Sequence, residues 1–360
     1  MAVNFYDITS CISCPVRRVC GGLRDAQGDA LSCQFVCGGS CRDNSRRECV
    51  FACPNNPARY YRELLEVRAL DYLPQLQIGI PEFWHFPFYV PQFHHGYRRK
   101  QSFAAPAGFA AIAIADILKH ARHAANPAEL RDIFRLARRT HIIATGIARD
   151  DLLESWWHDF PAAELLRRVN VVAVTVPNFS IFDDAPRHQN MINIARLHHF
   201  EERLTREQLP VVPHIYAQNP EDWARWSKFL TGQHQIRMVA AEFQTGLQSP
   251  AEGRPYIQKL GELQRQIRRP LHLLAIGGAQ YIPELSAVFP SLTVIDSQPF
   301  MKTMYRRALN VIPPLDGKWI RHETLEGEPL DRLFEDNYIR YVQRVEARRS
   351  TPAQSLFLAA

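Results

Sequence analysis

Cysteine is the residue type in this chain whose spacing most clearly indicates chemistry. All eight cysteines lie at or before Cys53 in a chain of 360 residues, and no histidine lies among them. They are Cys11, Cys14, Cys20, Cys33, Cys37, Cys41, Cys49 and Cys53. In a reducing compartment such a dense set of thiols indicates metal ligands rather than disulfides. We therefore predict a metal-binding module over residues 1–56, which is too short to bury a core of its own.

The spacing of these cysteines favours an iron–sulfur cluster over zinc. Zinc ribbons usually contain two CxxC knuckles, whereas this segment has one, at Cys11 and Cys14. The run Cys11-x2-Cys14-x5-Cys20 resembles the cluster-binding run of oxygen-sensing bacterial regulators and of DNA glycosylases with a 4Fe–4S centre. Eight thiolates suffice for up to two four-ligand sites. Zinc is the alternative metal, and in either case we expect the site to attach the module to the main domain.

The composition is that of a globular protein with ample apolar material, at 46% hydrophobic and 22% charged residues. No run reaches the roughly 18 apolar residues of a membrane span, and the N-terminus lacks the pattern of a secretory signal. We therefore expect a cytoplasmic protein that does not enter a membrane. The net charge is +6, and the basic residues include arginine doublets such as Arg138-Arg139 and Arg306-Arg307. Doublets can bind phosphates or be solvated helix ends, and together they favour DNA or tRNA as a partner.

The rest of the chain alternates short apolar runs with segments of helical period. The apolar runs span 141–146, 171–176, 211–217, 238–243, 271–276 and 292–296. The helical segments include 57–72, 107–124, 187–208, 220–230 and a stretch near 329–348. Strands that are apolar throughout, each followed by an amphipathic helix, predict a parallel sheet covered by helices. Without a Gly-rich phosphate motif, the pattern favours a (β/α)8 TIM-like barrel over residues 57–316 and a helical tail over 317–360 that could meet a protein partner.

Polar residues at the ends of these strands are the catalytic candidates, because the mouth of such a barrel is built there. Glu242 and Asp296 each end an apolar strand, where a carboxylate needs partners to remain ionised. Asp183, Asp184 and His214 are further candidates, although the two aspartates also fit a helix cap and the histidine fits a packed core. Other polar residues at strand ends are Gln92, His94, Asn178, Gln244 and Gln298.

Residues 273–307 resemble the last two β/α units of the tRNA-guanine transglycosylase superfamily, which includes barrels that insert deazapurines into DNA. On that match Asp296 is the nucleophile. The Gly-rich turn and the basic segment are represented by Gly277, Gly278, Arg306 and Arg307. The chain has no DSGGF-type stretch with the second acid, so Asp183, Asp184 or Glu242 would take that role. The C-terminal zinc motif of the superfamily is also missing.

A second resemblance covers residues 152–215, which are similar to an uncharacterised family from phages and mobile elements. Its motif is PDFS, an aromatic residue, and then Asp-Pro, followed by a helix and a strand. Asn178 stands where the motif has its first aspartate. The family has no established activity, so this match bears on ancestry rather than chemistry.

These observations predict a transglycosylase-like enzyme that exchanges a guanine-type base on a nucleic acid. Asp296 would attack C1′ of the target nucleotide, and Glu242 or Asp183 would deprotonate the incoming, modified base. The predicted substrate contacts are Asn178, Phe179, Tyr216, Gln244, Gly277, Gly278, Gln298, Arg306 and Arg307. Two alternatives remain open: a barrel hydrolase or nuclease that uses a divalent ion, and a non-catalytic nucleic-acid-binding or sensing subunit with a degenerate barrel.

Overall fold

The structure is a computed structural model with an α/β fold. It describes residues 14, 16–24, 30–31, 51–53, 56–76, 85–94, 108–121, 126–182, 185–312, 316–325 and 328–349. Within these ranges no helix has both the length and the apolar character needed to cross a membrane.

Twelve strands and twelve helices are used in the description below. The strands are β1 Leu23–Arg24, β2 Ala30–Leu31, β3 Tyr89–Phe93, β4 Phe109–Ala113, β5 His141–Thr145, β6 Ala173–Thr175, β7 Val211–Val212, β8 Met238–Phe243, β9 His272–Gly277, β10 Ser291–Asp296, β11 Arg307–Ile312 and β12 Asp316–Arg321. The helices are α1 Arg17–Cys20, α2 Pro57–Val67, α3 Ile114–Ala121, α4 Pro127–Ile133, α5 Asp150–His158, α6 Ala163–Arg168, α7 Arg187–Arg206, α8 Pro220–Gly232, α9 Pro250–Ile267, α10 Ile282–Val288, α11 Gln298–Met304 and α12 Asp331–Arg349.

Eight of the strands form one parallel sheet that curls into a nearly closed barrel. Its order is β7-β6-β5-β4-β3-β10-β9-β8. The two edge strands meet at a single parallel bridge between His214 and Ala240. There the backbone N–H of Ile215 donates to the carbonyl of Ala240 at 2.8 Å, and the N–H of Ala240 donates to Pro213 at 2.8 Å. The prediction of a TIM-like barrel is confirmed, whereas that of a metal-binding module stays a prediction.

Side chains of the barrel strands divide between two cores. Ile295 belongs to the cluster that fills the barrel, together with Ala240 and Ile276. Its neighbour Val294 belongs to a cluster between the strands and the outer helices. Because successive side chains of a strand point to opposite faces, the position of one residue fixes the direction of the others.

Two predicted elements differ from the structure. The helix predicted over 107–124 is wrong in its first part, because Phe109–Ala113 is strand β4 and the helix begins at Ile114. A strand that is buried on both faces is apolar throughout, so its sequence shows no period of two. The strand predicted over 211–217 is regular only at Val211–Val212, because Pro213 cannot donate to a ladder.

The tail predicted to be helical also contains strand β12, which pairs antiparallel with β11 before α12 begins. The predicted domain boundary at residue 316 therefore falls within this hairpin.

Helix α7 is buried on nearly every side because the barrel covers one face and α2, with parts of the cysteine segment, covers the other. Its two buried arginines are paired: Arg187 binds Asp222, and Arg196 lies 3.4 Å from Glu63. Both pairs are almost fully buried, so removal of one partner would leave a costly unpaired charge. The described parts of the cysteine segment are thereby packed onto the barrel.

The close approach of β5 and β6 at the carboxyl end of the barrel requires glycine at position 146. A Cβ there would lie 2.0 Å from the carbonyl oxygen of Val176. We predict that Gly146→Ala lowers the free energy of unfolding by at least about 1 kcal/mol, because overpacking of this kind typically costs about 1–3 kcal/mol. Gly232→Ala is the matched control, because nothing lies within 4 Å of its Cβ, and it should raise stability by up to about 1 kcal/mol. Urea unfolding measures both, and equal losses in the two variants would contradict the prediction.

Candidate active site

Glu242 occupies the carboxyl end of β8 and faces the barrel interior. Ala240, two residues earlier, belongs to the cluster inside the barrel, and residues two apart on a strand share a face. The side chain of Glu242 is 8% exposed. A carboxylate at this end of a parallel barrel is where enzymes of this fold place their chemistry.

Two polar groups hold the Glu242 carboxylate. The Nδ2 of Asn178 donates to Oε2 at 2.5 Å, and the hydroxyl of Tyr216 donates to the same oxygen at 3.2 Å. Asn178 also contacts the Tyr216 oxygen, at 3.0 Å. These three residues follow β6, follow β7 and end β8, so the structure brings together side chains from three neighbouring strands. Of the predicted site residues, Glu242, Asn178 and Tyr216 form this cluster.

Burial changes the acid–base behaviour of the cluster. It raises the pKa of Glu242 above its ordinary value of 4.5, and the hydrogen bonds from Tyr216 and Asn178 partly offset this by favouring the ionised form. Burial, with the neighbouring Glu242 charge, raises the pKa of the Tyr216 hydroxyl well above 10.0. Glu242 is therefore the group of this cluster that can change its ionisation in the ordinary range of pH.

Beneath Glu242 the barrel contains a layer of polar side chains with unpartnered atoms. Gln92, Thr145 and His214 each lie two residues beyond a member of the inner cluster, so they point toward the barrel axis. All three are buried. The Oε1 of Gln92, the hydroxyl of Thr145 and both ring nitrogens of His214 have no hydrogen-bond partner among the described residues. Buried polar atoms are nearly always hydrogen-bonded, so such a layer indicates a ligand or ordered water.

His214 is a neutral imidazole in this layer. Its burial lowers the pKa to about 3, because removal from water disfavours the charged form. The ring stacks on that of Tyr216, with centroids 5.1 Å apart and planes 16° apart. The structure therefore places this predicted catalytic residue beside the Glu242 cluster, as a group that can form neutral hydrogen bonds.

Asp296 lies in a different environment. It follows Ile295, which faces the barrel interior, so its own side chain faces the outer helices. Its carboxylate accepts from the Tyr341 hydroxyl at 2.7 Å and from the backbone N–H of Gln298 at 2.7 Å. The Nε2 of Gln298 adds a third contact at 3.2 Å. Burial raises the pKa of Asp296, and these hydrogen bonds lower it.

The remaining predicted substrate contacts are dispersed. Phe179 is buried in the outer core, 5.9 Å from the ring of Phe200. Gly277 and Gly278 both have a φ of +76°, a conformation that favours glycine. The turn they form lies against Gln244 and Phe243. Asp183 and Asp184 lie outside the described residues.

Loop 176–182, which carries Asn178, is anchored to α7. The Nδ2 of Asn190 donates to the carbonyl of Phe182 at 2.7 Å, and the Nδ2 of Asn193 donates to Ser180 at 2.8 Å. On the same helix Gln189 accepts from the backbone N–H of Ala52, at 2.8 Å. Helix α7 therefore contacts both the loop of the candidate site and the cysteine segment.

The cysteine segment converges partly on Tyr60. Cys14, Cys20 and Cys53 lie near enough to Tyr60 to raise the pKa of its hydroxyl, after the larger effect of burial. The Sγ of Cys14 lies 3.7 Å from Nε2 of His188, whose pKa burial lowers to about 4. The described residues alone contain no group of three His, Cys, Asp or Glu side chains placed to hold a metal ion. Five predicted ligands lie outside the described residues: Cys11, Cys33, Cys37, Cys41 and Cys49.

Sequence reasoning missed Thr145 and the pairing of His94 with Asp116. The Nδ1 of His94 lies 3.5 Å from Oδ2 of Asp116. His94 follows β3 and Asp116 lies in the first turn of α3, which begins directly after β4. A pair assembled from two neighbouring units gives no motif in the sequence.

No protein-family model matches the chain, and no curated protein matches it. The two resemblances stated from the sequence therefore stay predictions, and the site rests on its own geometry.

The raised pKa of Glu242 should make the stability of the protein depend on pH. As pH rises through the ordinary glutamate range, Glu242 ionises first in the unfolded state. The wild-type protein therefore loses stability until Glu242 also ionises in the folded state. Glu242→Gln removes this loss, and its stability relative to wild type should increase as pH rises above about 4.5. Urea unfolding over a pH series measures the difference. Thr145→Val, which does not titrate, is the control, and parallel curves for Glu242→Gln and wild type would contradict the prediction.

Proposed function

We propose that the protein exchanges a guanine-type base on a nucleic acid at the barrel mouth, with Glu242 as the attacking carboxylate. The observation on which this rests is that Glu242 faces the barrel interior and is held there by Asn178 and Tyr216. Below it lies a layer of polar atoms that have no partner within the described ranges. The resemblance of residues 273–307 supplies the reaction class. The geometry favours Glu242 over Asp296 because the Asp296 carboxylate is directed toward α11 and α12.

The reaction would proceed in two balanced displacements. In the first, a Glu242 oxygen bonds to C1′ of the target nucleotide while the bond from C1′ to the base nitrogen breaks, and the departing base takes up a proton. In the second, the nitrogen of the incoming base bonds to C1′, loses its proton, and releases the carboxylate. Asn178 and Tyr216 orient the carboxylate throughout. His94, oriented by Asp116, would give the first proton and accept the second.

The polar layer supports a planar, hydrogen-bonding substrate. Gln92 offers an acceptor, Thr145 a hydroxyl, and His214 one donor and one acceptor. A purine presents donors and acceptors around a flat ring, which could satisfy such a layer in a way that an apolar ligand could not. The target nucleotide would have to leave its stack to reach this depth.

A 4Fe–4S cluster, with zinc as the alternative, remains part of the proposal. Cys53 is far from Cys14 and Cys20 in the sequence, yet all three lie near one buried side chain, Tyr60. Among the described residues the Tyr60 hydroxyl has no hydrogen-bond partner, as expected where a further group completes the surroundings. A complete ligand set needs residues beyond those described. The cluster would hold the segment on α7 and takes no part in the steps above.

The central test compares two carboxylates. With tRNA or single-stranded DNA as acceptor and radiolabelled guanine as donor, Glu242→Gln should reduce incorporation at least about 1,000-fold. Asp296→Asn should reduce it less than about 10-fold. It should also lower stability, because Gln298 and Tyr341 donate to different oxygens of Asp296 and an amide has only one. Glu164→Gln, at an exposed position of α6, is the control for the substitution itself. Activity lost in Asp296→Asn and kept in Glu242→Gln would return the nucleophile to Asp296.

The proposed metal site predicts the metal content of the purified protein. Protein purified without oxygen should contain iron and acid-labile sulfide and absorb broadly in the visible range, and a colourless sample with stoichiometric zinc would assign the alternative metal. Cys20→Ser and Cys53→Ser should each lower the metal content. Tyr60→Phe is the control, since it keeps the buried ring and every thiol. A folded protein without metal, or unchanged metal in both cysteine variants, would contradict the proposal.

A further inference from the structure

A cleft of about 650 Å³ lies at the open end of the β11–β12 hairpin, among residues that the barrel mouth does not use. It combines basic side chains with an aromatic ring and a short loop. Its lining residues are Tyr305, Arg306, Arg307, Arg321, His322, Glu323, Thr324, Leu325 and Glu328.

Two arginines face each other across this hairpin. Arg307 and Arg321 are directly opposite in the antiparallel register, an arrangement that is destabilising for two like charges. Within the described part of the chain no carboxylate lies within ion-pair distance of either guanidinium. Both side chains are exposed. Among its described residues, the hairpin therefore concentrates positive charge that no carboxylate neutralises at ion-pair distance.

Arg306 adds a third guanidinium at the same place. Its backbone is in the left-handed region, with a φ of +51°, which is uncommon for a residue other than glycine. The N–H of His322 donates to its carbonyl at 2.8 Å and fixes this conformation. Its Nη1 is buried and has no partner among the described residues. The hydroxyl of Thr324, also in the cleft, is unpartnered in the same sense.

The other cleft residues suit a nucleotide. Tyr305 is 60% exposed, so an aromatic surface faces solvent beside the arginines. Of the two acids, Glu328 is engaged in the loop, since its Oε2 accepts from the backbone N–H of Leu325 at 2.8 Å. An exposed aromatic ring next to a positively charged groove is the usual arrangement for single-stranded nucleic acid.

We infer that this cleft binds single-stranded nucleic acid, with a backbone phosphate between Arg307 and Arg321, a contact from Arg306, and a base on Tyr305. A phosphate would neutralise the opposed charges and accept from the planar guanidinium groups in pairs. The inference rests on the proposed function for the class of partner, and it adds a surface that holds the strand outside the barrel mouth.

The test measures binding without turnover. A short fluorescein-labelled single-stranded oligonucleotide is titrated with protein over about 50 to 200 mM salt, and anisotropy gives the affinity. Arg307→Ala with Arg321→Ala should weaken binding at least about 10-fold and reduce the salt slope by about one unit or more. Tyr305→Ala should weaken it at least about five-fold with the slope unchanged. The control, Arg138→Ala with Arg139→Ala, removes the same charge at exposed positions outside the cleft.

Stability separates binding from a structural role. Without nucleic acid the Arg307, Arg321 double variant should unfold at the same or a higher urea concentration than wild type, because it relieves like-charge repulsion. An affinity loss equal to that of the control, or a loss that follows unfolding of the variant, would overturn the inference. The inference would also be overturned if the double variant kept its oligonucleotide binding but lost binding to anionic lipid vesicles, because the cleft would then bind a lipid surface. The assay measures binding without base exchange, so a failure of the proposed chemistry leaves this result intact.

Discussion

The alternation of side chains along the barrel strands is the constraint on which the site depends. Each strand residue faces either the barrel axis or the helical layer, and the residue before or after it faces the other way. This single rule sends Glu242 inward and Asp296 outward, although both end an apolar strand. A one-residue shift in the register of either strand would exchange these environments. The bridge between His214 and Ala240, which closes the barrel, fixes the register at the seam.

Much of the fold could be predicted from the sequence because buried parallel strands are continuous apolar runs. Met238–Phe243 forms the predicted strand to the residue, and Ser291–Asp296 begins only one residue earlier than predicted. The sequence could not give the face on which each residue lies. A run such as MVAAEF is apolar on both sides, so nothing in it distinguishes an inward glutamate from an outward one.

The candidate site could be predicted where a residue that is unusual in a buried strand lies within an apolar run or just after it. Glu242, His214 and Asn178 meet that condition. Thr145 does not, since threonine is an ordinary strand residue. That its hydroxyl has no partner among the described residues is visible only in three dimensions. The opposed arginines of the hairpin could not be predicted either. Arg307 and Arg321 are 14 positions apart in the sequence, and only the register of the hairpin places them opposite each other. Tertiary pairing of this kind leaves no periodic signal.

Helix α7 contacts two regions that are far apart in the sequence. The same helix touches Cys14 through His188 and holds the loop after β6 through Asn190 and Asn193. Its paired charges fix it in the wall of the barrel. The described parts of the cysteine segment therefore contact the same helix that holds the loop of Asn178. A displacement of α7 would change both sets of contacts at once.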